Sequence, residues 1–139
     1  MKKSTLNFIF LLLFCATGFF IAFLNRKSLE YNHRVTEGYV TNVKTNSKSS
    51  GIFIEFYFFL DAKKITGSSS IPCPNTECFH FHYNHLKGKS LAVVYEKSRP
   101  NNCEMLFQSR NYKRYKIEST GEQKSIVSSI DSAIKIYSN

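Results

Sequence analysis

Two of the four cysteines and three of the four histidines fall within thirteen positions, CPNTECFHFHYNH, residues 73–85. Thiolates and imidazoles are ligands that zinc and copper accept, and a site needs three or four of them within about 2.0–2.3 Å of one point. If residues 78–83 are extended, Cys78, His80 and His82 share one face while Phe79, Phe81 and Tyr83 take the other. Cys73 or His85 would then fold back from the flanking loops to complete a zinc or copper centre. The same alternation suits a half-buried strand that holds no metal, with aromatics inward and histidines in water. The spacing matches no standard zinc-finger pattern. The thiols allow a further outcome, because Cys73 and Cys78 could close a small disulfide loop with Cys103 left free, or Cys103 could pair with either of them. Spacing does not rank these pairings.

No other stretch carries comparable chemistry. The chain has no nucleophile beside a base, no carboxylate pair, no phosphate-binding glycine loop and no metalloprotease helix. The serines of GSSS, residues 67–70, read as a strand end. The expectation is therefore that the protein is not an enzyme. RNYKRYK, residues 110–116, interleaves Arg110, Lys113, Arg114 and Lys116 with Tyr112 and Tyr115, a pattern that could grip single-stranded nucleic acid through phosphate contacts and stacking. A late strand with a solvated basic face, or one lying near lipid head groups, has the same pattern. Nucleic acid is the least expected partner.

The elements that would position these residues begin with an apolar run from Leu6 to Leu24 between basic flanks, Lys2 and Lys3 before it and Arg26 and Lys27 after it. As a helix those nineteen residues span about 28 Å, close to the roughly 30 Å hydrocarbon core of a bilayer. A cleaved signal peptide is the competing reading, with small residues at Ala16-Thr17-Gly18. Against it, the apolar character continues through FFIAFL for six more residues. Lipid modification of Cys15 is disfavoured by the bulky Phe14 before it. An uncleaved anchor, with the bilayer as partner of residues 6–24, is the expectation. Basic residues flank both ends, so charge barely sets the orientation. A short basic head before a signal-like run normally stays inside, which would export residues 28–139.

The formal charge of +9 says little about partners. Four of the nineteen basic residues belong to the anchor flanks, and beyond them fifteen face ten acidic residues. That mild excess suits a domain near anionic head groups or an ordinary solvated surface.

Residues 28–33 read as a polar linker, and after them the texture becomes β. Arg34–Val43 places Val35, Tyr39 and Val43 on one face, with Gly38 and Val40 on the other. KTNSKSSG, residues 44–51, is a polar loop. Ile52–Leu60 is aromatic or β-branched on both faces apart from Glu55, as in a central strand covered on two sides. Asp61-Ala62 then turns the chain into KKITGSSSI as a hairpin. Ser90–Lys97 is a further buried strand, closed by a turn at residues 99–102. Cys103–Phe107 is a fifth strand, and YKRYKI, residues 112–117, a sixth. Period changes after residue 118: Ile126, Val127, Ile130, Ala133, Ile134 and Tyr137 recur at helical spacing, with Ser119 and Glu122 as a capping box. This amphipathic helix would close an end or face of the barrel, or dock on a membrane or partner helix.

The expected fold is mainly β: an N-terminal transmembrane helix, a small antiparallel five- or six-stranded barrel and a C-terminal amphipathic helix. Its parts are an anchor over 1–27, a linker over 28–33, the barrel over 34–118 and the helix over 119–139. GYVTNV, then IFIEFYFFLDAKKITGSSS, then LKGKSLAVVYEKSRPNNCEML resemble a widespread class of small bacterial membrane-anchored proteins of unknown function, in which a transmembrane helix precedes a compact SH3- or OB-like barrel. The matching positions are Thr66, Gly67 and Ser69, then Leu86, Gly88, Lys89, Leu91, Val93, Tyr95 and Pro100, within residues 34–107. The chain departs from that pattern at Ala62, where glycine is usual, and in the cysteine–histidine insertion before Leu86. The resemblance implies a β module tethered in the bacterial envelope and brings no catalytic residues.

The functional expectation is a single-pass inner-membrane protein whose exported domain acts without catalysis, by contact with another protein or the membrane surface. The alternative is a zinc- or copper-binding envelope protein using Cys73, Cys78, His80, His82 and His85.

Overall fold

The protein is described here by a computed structural model covering residues 3–45 and 50–137. The middle of the expected polar loop, residues 46–49, lies outside the described residues. Helix α1 runs Lys3–Asn32. Its stretch Asn7–Asn32 is long and apolar enough to cross a membrane, the most apolar 18-residue window within it having a mean hydropathy of 2.4. Every side chain from Asn7 to Leu24 is exposed. The anticipated linker at 28–33 is absent: the helix continues to Asn32, and β1 (His33–Thr45) starts at the next residue. Glu30 ties this last part together, lying 3.9 Å from Arg26 and 3.3 Å from Lys27 at helical spacing. Leu29 is buried against the domain.

Strands β1, β2 (Gly51–Leu60), β3 (Lys63–Pro72), β4 (Ser90–Glu96) and β5 (Arg99–Met105) form one antiparallel sheet in the order β3-β2-β1-β4-β5. Its edges curl toward each other into a nearly closed barrel without hydrogen-bonding. At Gly67 on β3 an added β carbon would meet the Phe56 ring at 2.5 Å and Cys103 Sγ on β5 at 2.9 Å. Only glycine fits between the core and the opposite edge there. Between the unpaired edges and the end of α1 remains a cleft of about 430 Å³, bordered by Asn25, Arg26, Ser69 and Arg110.

Several strand details depart from the expected pattern for local reasons. The β1–β2 register shifts between Val40 and Asn42, where Thr41 Oγ1 donates to the Glu55 carbonyl at 3.0 Å. That bulge changes the parity of β1. Val43 joins Gly38 and Val40 inside, while Val35 and Tyr39 stay outside. β2 is covered on one face only: Ile52, Ile54, Phe56 and Phe58 are buried, whereas Phe53 and Phe59 are exposed. The hairpin forms at Asp61-Ala62 as expected, with Leu60 opposite Lys63. Both turn residues have positive φ, 46° and 65°, the backbone of a tight primed turn that usually recruits glycine. Residues 99–102 belong to β5, and the turn before it is Lys97-Ser98. Glu96 pairs with Arg99 and Tyr95 with Cys103, so Pro100, Asn101 and Asn102 bulge from an edge strand that tolerates proline.

The largest correction is helical. α2 (Thr76–Leu86) replaces the strand expected at 78–83, and α3 (Ser109–Tyr115) replaces the sixth strand. With α1 and α4 (Gly121–Tyr137), helices hold more of the described residues than strands do, so "mainly β" describes the barrel but not the chain. In α3, Tyr112 and Tyr115 at i, i+3 are both buried. Their rings are thus not available as a stacking platform for bases. The apolar face of α4, Ile126, Val127, Ile130 and Ala133, is buried where the helix packs on α2, α3 and β4. The expected capping box is out of register: α4 starts at Gly121, so Thr120 rather than Ser119 precedes it, and Glu122 accepts from Lys89 Nζ at 2.6 Å.

Glu96 fixes α1 to the barrel. Its Oε2 accepts from Arg99 at 2.8 Å and Asn102 at 2.9 Å, and its Oε1 accepts from Ser98 at 3.0 Å. Arg99 and Asn102 in turn donate to the side chain and carbonyl of Asn25 on α1, at 2.9 and 3.0 Å. Hydrogen bonds from Arg99 and then Asn102, opposed by burial, hold the carboxyl at about 2, below its ordinary 4.5. A depressed acid favours folding above its unfolded pKa and loses that contribution as pH falls. The stability gap between wild type and Glu96→Gln is therefore expected to narrow from pH 4.5 toward about 2. Denaturant midpoints measured across that range check this; a constant gap would show that the charge plays no part.

Candidate functional site

The cysteine–histidine segment begins where β3 ends. The Cys73 amide donates to the Ser50 carbonyl at 3.0 Å, which pins the strand end beside the start of β2. Two residues later Asn75, extended at φ −144°, caps α2 by accepting from the Cys78 amide at 2.9 Å. This cap starts a helix where the alternation of side chains suggested a strand. Helical spacing then places Cys78, His82 and Leu86 on one buried face, four residues apart.

Cys73 and Cys78 are joined by a disulfide, with Cα atoms 5.6 Å apart. Of the pairings the sequence allowed, the structure has the short loop, and Cys103 is free. Burial pushes the Cys103 thiol up to about 11, which disfavours the reactive thiolate. Cys15 is free and exposed on α1.

Of the three histidines only His82 joins the cysteines. One ligand atom each from Cys73, Cys78 and His82 can be chosen so that all three lie within 4.8 Å of one another. His82 is 0 % exposed, and neither ring nitrogen has a hydrogen-bond partner. Burial, with a smaller contribution from His85, lowers its pKa to about 4, so the imidazole is neutral near pH 7. Buried polar groups nearly always have partners, and an unpaired one costs about 1–3 kcal/mol. His80 is exposed on another side of α2. His85 is also exposed, with Nδ1 2.8 Å from the Phe81 carbonyl and its ring stacked 4.0 Å from that of Phe81. The five-residue ligand set thus separates into a buried trio and two surface histidines.

Asn75, which the cluster reading passed over, sets the geometry of the trio. A helix-start signal was present in the sequence: Asn75 as cap, followed by Glu77 in the first turn. No protein-family model, curated protein or solved structure matches the chain.

Proposed function

We propose that the protein is a single-pass membrane-tethered module that holds a small near-barrel at the bilayer surface and acts by contact, without catalysis. The observation that carries this reading is the bare apolar helix. From Asn7 to Leu24 no side chain of α1 is covered by the rest of the domain, although the residues just beyond it are docked through Leu29 and Asn25. A surface of that length and composition is stable only in hydrocarbon or against other apolar helices. The envelope of a bacterium, with the N-terminus inside and the domain exported, is the location proposed. The Cys73–Cys78 disulfide supports it, because such bonds persist in oxidising compartments.

The contact face proposed is the outer side of β1 and β2. Tyr39, Phe53 and Phe59 are exposed there. Tyr57 stacks on Tyr39 at 5.6 Å and meets Phe59 edge-on at 5.5 Å, with Lys64 Nζ 4.3 Å above its ring. Clustered surface aromatics are characteristic of protein interfaces. Several carboxylates have structural partners: Glu104 accepts from Tyr115 at 2.6 Å and Asn111 at 2.5 Å, and Asp131 accepts from Ser109.

The test is a pair of C-terminal reporter fusions, one active only outside the inner membrane and one only inside. The expected result is activity of the exported reporter, with full-length chain in the membrane pellet. Activity only of the internal reporter would reverse the orientation. Full-length protein recovered without detergent would end the tethered reading.

A further inference from the structure

The geometry points to the trio of Cys73, Cys78 and His82 as a binding site for one thiophilic d10 cation, Cu(I) or Zn(II), available when the disulfide is reduced. The site is built from two elements: the end of β3 delivers Cys73, and the first two turns of α2 deliver Cys78 and His82. The independent observation is His82, an imidazole buried completely beside two sulfurs with both nitrogens unpartnered. A structural histidine at such a place normally donates to a carbonyl or carboxylate. This one faces a buried pair of cysteines, and a cation held between them would supply its missing partner.

Reduction consumes two electrons and two protons. A dithiol reductant supplies both and leaves as its own cyclic disulfide, so that Cys73 and Cys78 become thiols. Cation binding then releases the two thiol protons to solvent, leaving two thiolates and a neutral imidazole as ligands. Once the bond is open, the sulfurs can separate to the roughly 3.8 Å that two ligands on one ion at about 2.3 Å require. The Cys78 thiolate would sit in the first turn of α2, where the helix dipole favours an anion. Soft sulfur ligands select Cu(I) and Zn(II) among common cations. Three ligands suffice for Cu(I), whereas zinc would add a water. Oxidation and metal compete for the same sulfurs, so the disulfide is the metal-free state.

This inference needs only the folded domain and stands apart from the tethered reading, which a topology result tests separately. The experiment uses full-length protein in detergent, reduced with a phosphine under nitrogen and titrated in parallel with Cu(I) or Zn(II) against a chromophoric competitor. The expected result is one cation per chain for reduced wild type and none for oxidised wild type. Affinity should fall more than about tenfold in Cys78→Ser and in His82→Leu, the latter replacing the ring with an apolar side chain that keeps the pocket filled. His80→Ala and His85→Ala should bind as wild type does. Whichever ion binds with this pattern is thereby assigned. Circular dichroism of each variant confirms that the domain is folded. Absence of stoichiometric binding by the reduced chain would overturn the proposal and leave the disulfide as a staple. So would binding that survives His82→Leu or depends on His80.

Discussion

Replacing Leu12 and Leu13 together by arginine is expected to release the chain from the membrane fraction. Thirteen Leu, Ile and Phe residues lie between Leu6 and Leu24. At about 0.3–0.6 kcal/mol each near a helix centre, they favour insertion by roughly 4–8 kcal/mol. An arginine near the centre costs about 2.5–3.5 kcal/mol, so two of them cancel most of that preference. Both positions are exposed, at 55 and 60 %, and the folded domain does not depend on them. The measurement is the share of full-length protein that stays in the pellet after an alkaline wash, with Leu12→Ala, Leu13→Ala as the control. Unchanged retention of the arginine variant would mean that partner helices, not lipid, cover α1.

Phe58→Ala is expected to destabilise the barrel by about 3–5 kcal/mol, the usual cost of removing a buried phenylalanine. Phe58 is 0 % exposed and packs 5.5 Å from the Tyr95 ring, centroid to centroid. A small domain has about 5–15 kcal/mol in total, so little stability would remain. One residue along the same strand, Phe59 is 52 % exposed, and Phe59→Ala should change stability by no more than about 0.5 kcal/mol. Denaturant midpoints of the two variants in detergent decide the matter. Equal losses would show that the inward and outward faces of β2 are wrongly assigned.

The contrast between those neighbours also marks what was legible in the sequence. Hydrophobic density located β1, β2 and β4, and Asp61-Ala62 located the hairpin into β3, whereas β5 was legible only over Cys103–Met105, because its first residues, Arg99–Asn102, are polar or proline and have the composition of a turn. Which face of a strand turns inward was harder to read. One bulge at Thr41 was enough to move Val43 across the sheet, and a bulge has no strong signature in a single sequence. α2 was lost to a coincidence of periods. Residues 78–83 alternate polar and aromatic side chains, yet Cys78, His82 and Leu86 also recur every four. The Asn75 cap decides between those periods, and it lies outside the alternating stretch. In α3 the basic residues drew attention to charge, whereas the pair Tyr112 and Tyr115 carried the helical spacing. The cluster was found as a cluster because its residue types are rare. Its division into a buried trio and two surface histidines depends on the helix, and so was not visible without it.

The direct passage from Asn32 of α1 to His33 of β1 has a mechanical consequence. The eight residues from Asn25 to Asn32 rise about 12 Å as helix, and Glu96, Arg99 and Asn102 brace their lower end. On the tethered reading the domain is mounted on a stiff post, with no slack to swing or reach. Whatever it meets must come to it at that height, which selects for molecules that themselves travel along the bilayer.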